Sequence, residues 1–247
     1  MMKKDFDLLS LGEILLRLSP PNNERIVRGE TFQKQVGGAE LNVVSGVSLL
    51  GLRTGVISKL PANALGTYAK NRVRFCGVSD DYLVYDHEDR SYPRKPSVVY
   101  DRRHASFCKI SLDELPESMF SSARCFHTSG ITLALSENTR KVGIEMMKRF
   151  KENGTLISFD VNFRGNLWTG PEAKECIESI LPYVDISGAL YGLLAHNFDC
   201  QKALEYGNAT SSVKNTIPGD LPSCGLEEID RIIKNHKNTG IQLEMDR

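Results

Sequence analysis

The stretch Ser158–Trp168, S-F-D-V-N-F-R-G-N-L-W, places an acid, an amide and a guanidinium at every second position, as Asp160, Asn162 and Arg164. Ile157, Phe159, Val161 and Phe163 fill the other parity. Alternate side chains of a strand share a face. The apolar set is therefore expected to enter a core while the polar set collects near a strand end, where it suits a polar, anionic ligand. By spacing alone, an ordinary strand followed by a polar turn is an equal reading.

Two further groups sit at the ends of expected elements. Gly12-Glu13 interrupts the apolar run Asp7–Leu18, which puts a carboxylate near a strand end. A solvated turn acid fits the same spacing. Gln35–Leu50 passes from the Gly37-Gly38 turn into a helix, with Leu41, Val44 and Val47/Ser48 at helical spacing. Paired glycines let a backbone pass close to a ligand, and a helix start offers unpaired N–H donors. The run is neither G-x-G-x-x-G nor a Walker loop, so it licenses no nucleotide assignment. A plain turn is the alternative.

Strands are expected at Gly55–Leu60, Tyr82–Tyr85, Ser97–Arg102 and Arg124–Ser129, with Ser106–Ile110 returning antiparallel beside Ser97–Arg102. Helices are expected at Leu65–Cys76, Ser111–Met119, Glu137–Lys151 behind a Ser136 cap, and from Thr169 through Leu181 behind a Thr169/Glu172 capping box. Strand–helix–strand order predicts a mostly parallel, helix-covered sheet. Ligands of such sheets bind beyond the carboxyl ends of the strands. After Val161 no strand is expected. Ser187–His196, Cys200–Lys214 and Leu226–Lys234 read as helices.

The 247 residues suffice for one sizeable α/β domain. With 31 basic and 31 acidic side chains, the chain has no net charge for a broad nucleic-acid surface. No apolar run is long enough to span a bilayer, and M-M-K-K-D-F-D is no signal peptide. A cytoplasmic location is the default expectation. The six cysteines form no C-x-x-C pair and read as reduced structural thiols. His127 is expected to be a hydrogen-bonded core histidine.

Taken in order, Gly12-Glu13, G-G-A-E-L-N (Gly37–Asn42), V-V-Y-D-R (Val98–Arg102), F-D-V-N-F-R-G-N-L-W (Phe159–Trp168), the Ser187–Leu194 run and K-N-T-I-P-G-D (Lys214–Asp220) resemble the PfkB (ribokinase-like) carbohydrate kinases, above all the 2-keto-3-deoxygluconate kinases. The resemblance implies a ribokinase-like α/β fold: a mostly parallel sheet flanked by helices, with a small β lid. It implies one domain over residues 1–247, with lid segments at about 10–36 and 82–110. It also implies transfer of the ATP γ-phosphate, with Mg²⁺, to a sugar-acid hydroxyl. Gly38, Tyr100, Arg102 and Arg164 would contact the sugar acid, with Glu13, Gly37, Asn42, Asp160 and Asn162 at the same site. Assembly through the lid would give a homodimer or larger homo-oligomer.

The sequence departs from this pattern before Ser187. The family places a G-A-G-D motif there, whose N–H groups form an anion hole and whose aspartate is the general base. Here Asp185-Ile186 runs straight into Ser187, and no such motif occurs elsewhere. No catalytic residue is assigned, and neither Asp185 nor Asp220 inherits the base role. The later sheet strands and a second lid strand near Arg90-Ser91 are also absent. The expected function is a sugar-acid kinase impaired by that loss. The alternative is a non-catalytic sugar-acid binder or deletion-derived chain. Open sheet edges predict aggregation or dependence on a partner.

Overall fold

In the computed structural model, residues 4–21, 30–87, 105–165, 167–185 and 225–245 are described, together with Lys202, Glu205, Tyr206, Ala209 and Val213. Five strands form one parallel sheet: β1 (Phe6–Leu11), β4 (Thr54–Pro61), β5 (Ser79–Asp86), β6 (Ala123–Ser129) and β7 (Leu156–Asp160). Their order is β5-β4-β1-β6-β7. The central β1 has parallel neighbours on both sides, pairing Leu9 with Gly55 and with Phe126. Both its faces are covered, which explains why L-L-S-L reads as continuous apolar sequence without alternation. A separate antiparallel ribbon joins β2 (Leu15–Ser19) to β3 (Gln33–Gly37).

Adjacent residues of β1 enter different cores. Leu8 packs with Val44 and Val47 of α1 (Ala39–Leu49) and Val73 of α2 (Ala64–Phe75). Leu9 faces the opposite layer, with α3 (Gly130–Leu135), α4 (Glu137–Glu152) and α5 (Gly170–Ile180). There the Phe150 ring of α4 stacks on Phe126 at 4.5 Å and meets Phe120 edge-on at 5.1 Å. Truncating such a ring to alanine costs about 3–5 kcal/mol. A third cluster joins Leu50 to Tyr206, Ala209, Val213 and Ile229 of α6 (Leu226–Met245). The mostly parallel sheet, flanking helices and small antiparallel ribbon have the ribokinase-like arrangement.

Local signals fix several boundaries. Ser136 Oγ accepts from the Thr139 N–H at 3.1 Å, capping α4. Thr169 and Glu172 satisfy one another as a capping box at α5. Asn63 caps α2, accepting from Leu65 and Gly66.

Other expectations are corrected. Ser106–Ile110 is a 3-10 turn with its following residue, not a strand. Phe107 and Ile110 are both buried at i, i+3 spacing, the repeat of such a turn. Ser111–Met119 is two 3-10 turns, at Leu112–Glu114 and Glu117–Ser121, rather than one helix. Pro116 between them has no N–H to continue a helix. Tyr82–Tyr85 lies inside β5, at the edge of the main sheet. The Asp7–Leu18 run divides between the main sheet and the ribbon. Helix α3 had no sequence signal, because all six of its residues are buried and no polar face marks a period. Helix α6 extends past Lys234 to Met245. The expected strand Ser97–Arg102 and most of the expected helices at 187–196 and 200–214 lie outside the described residues. Among the described residues no strand follows β7, and no helix is long and apolar enough to cross a membrane.

Candidate functional site

The chain leaves β1 toward β4 on one side of the sheet, whereas β6 lies on the other. Connections diverging from adjacent strands open a crevice beyond their carboxyl ends. Gly12-Glu13 follows β1 there, and at β6 the last residue Ser129 leads directly into Gly130 of α3. Glu13 is 5% exposed, so its carboxylate is not a solvated turn acid. Gly37 closes the ribbon opposite Leu15, and Gly38 starts α1. A Cβ on Gly38 would lie 2.3 Å from the Glu13 carbonyl oxygen, and its φ is +157°. Only glycine lets these two backbones approach so closely. The Asn42 N–H donates to the Gly38 carbonyl at 2.8 Å, which ties it to the same turn. Buried Asn42 Oδ1 accepts no hydrogen bond among the described residues. Glu13, Gly37, Gly38 and Asn42 are thus brought together.

Asp160 ends β7 in register with Ser129 of β6. Its Oδ1 accepts from the Asn162 N–H at 3.2 Å, and Asn162 takes φ +31°. This local turn stops the strand, because the side chain replaces a ladder acceptor and the following backbone leaves the extended region. The expected alternation therefore fails past Phe159: Val161 is 45% and Phe163 47% exposed. A non-glycine residue at positive φ is uncommon and marks strain held by its surroundings. Arg164 is exposed, and its Nη1 donates to the Phe163 carbonyl at 3.2 Å. Asp160 and Asn162 share the carboxyl edge with Glu13, while Arg164 lies on the solvent side of that turn. Tyr100 and Arg102 lie outside the described residues.

The structure adds a buried acid that sequence reasoning passed over. Glu40 is 1% exposed, and its Oε1 accepts from Ser129 Oγ at 2.6 Å and Thr132 Oγ1 at 2.7 Å. Burial pushes its carboxyl group up from the usual carboxylate range; the two hydroxyls oppose the rise, and nearby Asp160 adds to it. The signal was present. Glu40, Val44 and Val47 recur at i, i+4, i+7, so the acid lies on the buried stripe of α1.

Cys108 lies near enough to Glu13 for the carboxylate to act on its thiol, which burial chiefly pushes up. Beside it a cavity of about 480 Å³ opens between Ala105–Lys109 and Ser136–Lys141. His127 is a buried core histidine, its Nδ1 3.1 Å from Ser158 Oγ, and desolvation lowers its pKa to about 4. Asp185 lies against β7 near the opposite end of that strand, where it takes the Ile157 N–H and pairs with Lys151. Asp220 lies outside the described residues. Among the described residues no group of three or more His, Cys, Asp or Glu stands ready to hold a metal ion.

Comparison with known proteins gives a consistent family. Residues 5–188 match the pfkB family carbohydrate kinases. The chain is 34% identical over 224 residues to a 2-dehydro-3-deoxygalactonokinase of Haloferax volcanii, covering 87% of this chain and 68% of that protein. It is 28% identical to a 2-dehydro-3-deoxygluconokinase of Bacillus subtilis, covering 70% of this chain and 56% of that one. The crystal structure of a 2-dehydro-3-deoxygluconokinase from Thermotoga maritima matches with a TM-score of 0.83 at 25% identity, over 93% of this chain and 99% of that one. This chain therefore belongs to the pfkB family of carbohydrate kinases.

Proposed function

We propose that this chain binds a 2-keto-3-deoxy sugar acid in the β1/β6 crevice, as the acceptor substrate of a pfkB-type sugar kinase. The observation that carries the reading is the convergence of Glu13, Gly38 and Asn42, with the buried Asn42 Oδ1 lacking a donor among the described residues. A sugar hydroxyl would supply that donor, and buried acceptors left without one are costly. Arg164, with Tyr100 and Arg102, would hold the substrate carboxylate, since a guanidinium fork binds a carboxylate bidentately. The ribbon β2–β3 would serve as the lid, and as the contact between copies in a homo-oligomer, whereas 82–86 and 105–110 belong to the main body.

Family members use ATP and Mg²⁺. The sequence lacks the G-A-G-D anion hole that would receive the phosphates of that pair. No step is derived through the nucleotide. That mismatch favours a second reading, a sugar-acid binder without turnover.

Calorimetric titration with 2-keto-3-deoxygluconate and with a non-hydrolysable ATP analogue, beside an ADP-release assay, tests both. Sugar-acid binding with ADP release supports the kinase. Sugar-acid binding without nucleotide binding supports the binder. Failure to bind any 2-keto-3-deoxy sugar acid overturns both.

A further inference from the structure

Glu40 adds a polar tie between α1, the β6–α3 junction and the end of β1, where α1 otherwise meets the sheet through apolar packing. It stands in the first turn of α1, two residues after Gly38 and two before Asn42. Its Oε1 accepts from both hydroxyls at the β6–α3 turn: Ser129, which ends β6 and precedes α3, and Thr132 in the first turn of that helix. Its other oxygen lies beneath the end of β1, where a Cβ on Gly12 would approach Glu40 Oε2 to 2.3 Å. Gly12 is thus a glycine because the Glu40 carboxyl group fills the space that a side chain would need. An isolated buried carboxyl group is costly, and is retained where its hydrogen bonds fix a specific arrangement.

We infer that Glu40 is a positioning residue for the sugar-acid site: its carboxyl group clamps the Ser129–Thr132 turn to the Gly37–Asn42 turn and so sets the crevice in which Glu13 and Asn42 meet the substrate. The inference rests on the proposed sugar-acid site for its ligand, but the clamp itself is a property of the free protein. Glutamine preserves the acceptor Oε1 and the side-chain shape, so it keeps the clamp. Alanine removes both.

The test uses the full chain with Glu40→Ala, Glu40→Gln, the pair Ser129→Ala and Thr132→Val, and Thr155→Ala as a control. Thr155 Oγ1 donates to the Ala123 carbonyl at 3.0 Å, a buried hydrogen bond at the amino end of the sheet, away from the crevice. Calorimetry with 2-keto-3-deoxygluconate is expected to show binding weakened about tenfold or more by Glu40→Ala, matched by the Ser129/Thr132 pair, and not compounded when all three are combined. Glu40→Gln is expected to stay within about threefold of the parent, as is Thr155→Ala. Amide hydrogen exchange without ligand should speed up in both turns together for Glu40→Ala and not for Glu40→Gln. Equal weakening by Thr155→Ala would reduce Glu40 to general stability and overturn the inference. Unchanged exchange in either turn of Glu40→Ala would overturn it as well. A parent protein that binds no sugar acid defeats the proposed function, while the exchange data still decide the clamp. If Glu40→Ala does not fold, Ser129→Ala with Thr132→Val carries the same readouts.

Discussion

Asp185 closes on Ile157 through both backbone groups of that residue. The Ile157 N–H donates to Asp185 Oδ2 at 2.9 Å, and the Asp185 N–H donates to the Ile157 carbonyl at 2.8 Å. Lys151 pairs with the remaining carboxylate oxygen. Beta-strand β7 is the outer strand of the described sheet, so Asp185 occupies edge groups that would otherwise be open. Ile157 and Asp160 are three residues apart, about 10 Å along a strand. The acid nearest the position of the family's catalytic motif is therefore employed near the wrong end of β7 for chemistry in the crevice.

Replacing Asp185 with alanine strands the Ile157 N–H and frees Lys151. The expected loss is about 1–3 kcal/mol, read from the urea midpoint. The variant is also expected to self-associate more than the parent in light scattering. An unchanged midpoint would show that the edge is satisfied in some other way.

Asn42 supplies the acceptor assigned to a sugar hydroxyl. Asn42→Ala is expected to weaken sugar-acid binding about tenfold with little loss of stability, because its Oδ1 has no protein donor among the described residues to lose. Equal affinity in calorimetry would remove Asn42 from the site.

Arg164 is exposed and makes only a local bond to Phe163 among the described residues. Arg164→Lys is expected to lower affinity for the sugar acid severalfold, while leaving the melting temperature unchanged. Lysine keeps the charge but loses the planar fork. Competition by the corresponding neutral sugar, which lacks the carboxylate, should be indifferent to this change.

His127 makes stability depend on pH. Its pKa is lowered by burial to about 4 in the folded protein from the ordinary imidazole value of 6.5, so between those values the unfolded chain binds more protons. The stability that the neutral ring allows is present above pH 6.5 and is lost progressively as pH falls toward about 4. The full effect is on the order of 3 kcal/mol. His127→Gln should flatten the stability profile across that window, as measured by urea unfolding at successive pH values. A parallel profile for the two proteins would contradict the assignment.

Short-range patterns carried much of this protein. The apolar runs of β1, β4 and β6, the Ser136 and Thr169 caps, and the Gly37-Gly38 turn into α1 were legible because each depends on neighbours within a few residues. The resemblance of Phe159–Trp168 and Gly37–Asn42 to pfkB motifs was legible for the same reason. Where burial on every side erased the period, as in α3, the sequence was silent. Where a side chain answered its own backbone, as Asp160 does for Asn162, the expected strand ended early.

What the sequence determined by itself was the class of fold, its parallel character and the residue types offered to a ligand, because those follow from periodicity and local composition. Tertiary structure alone decided which offered groups meet. Glu40 and Ser129 are 89 residues apart in the chain yet 2.6 Å apart in space, and Asp185 is drawn 28 residues back to Ile157. Strand order fixes those distances, and the order of five parallel strands is chosen by packing two helical layers onto one sheet.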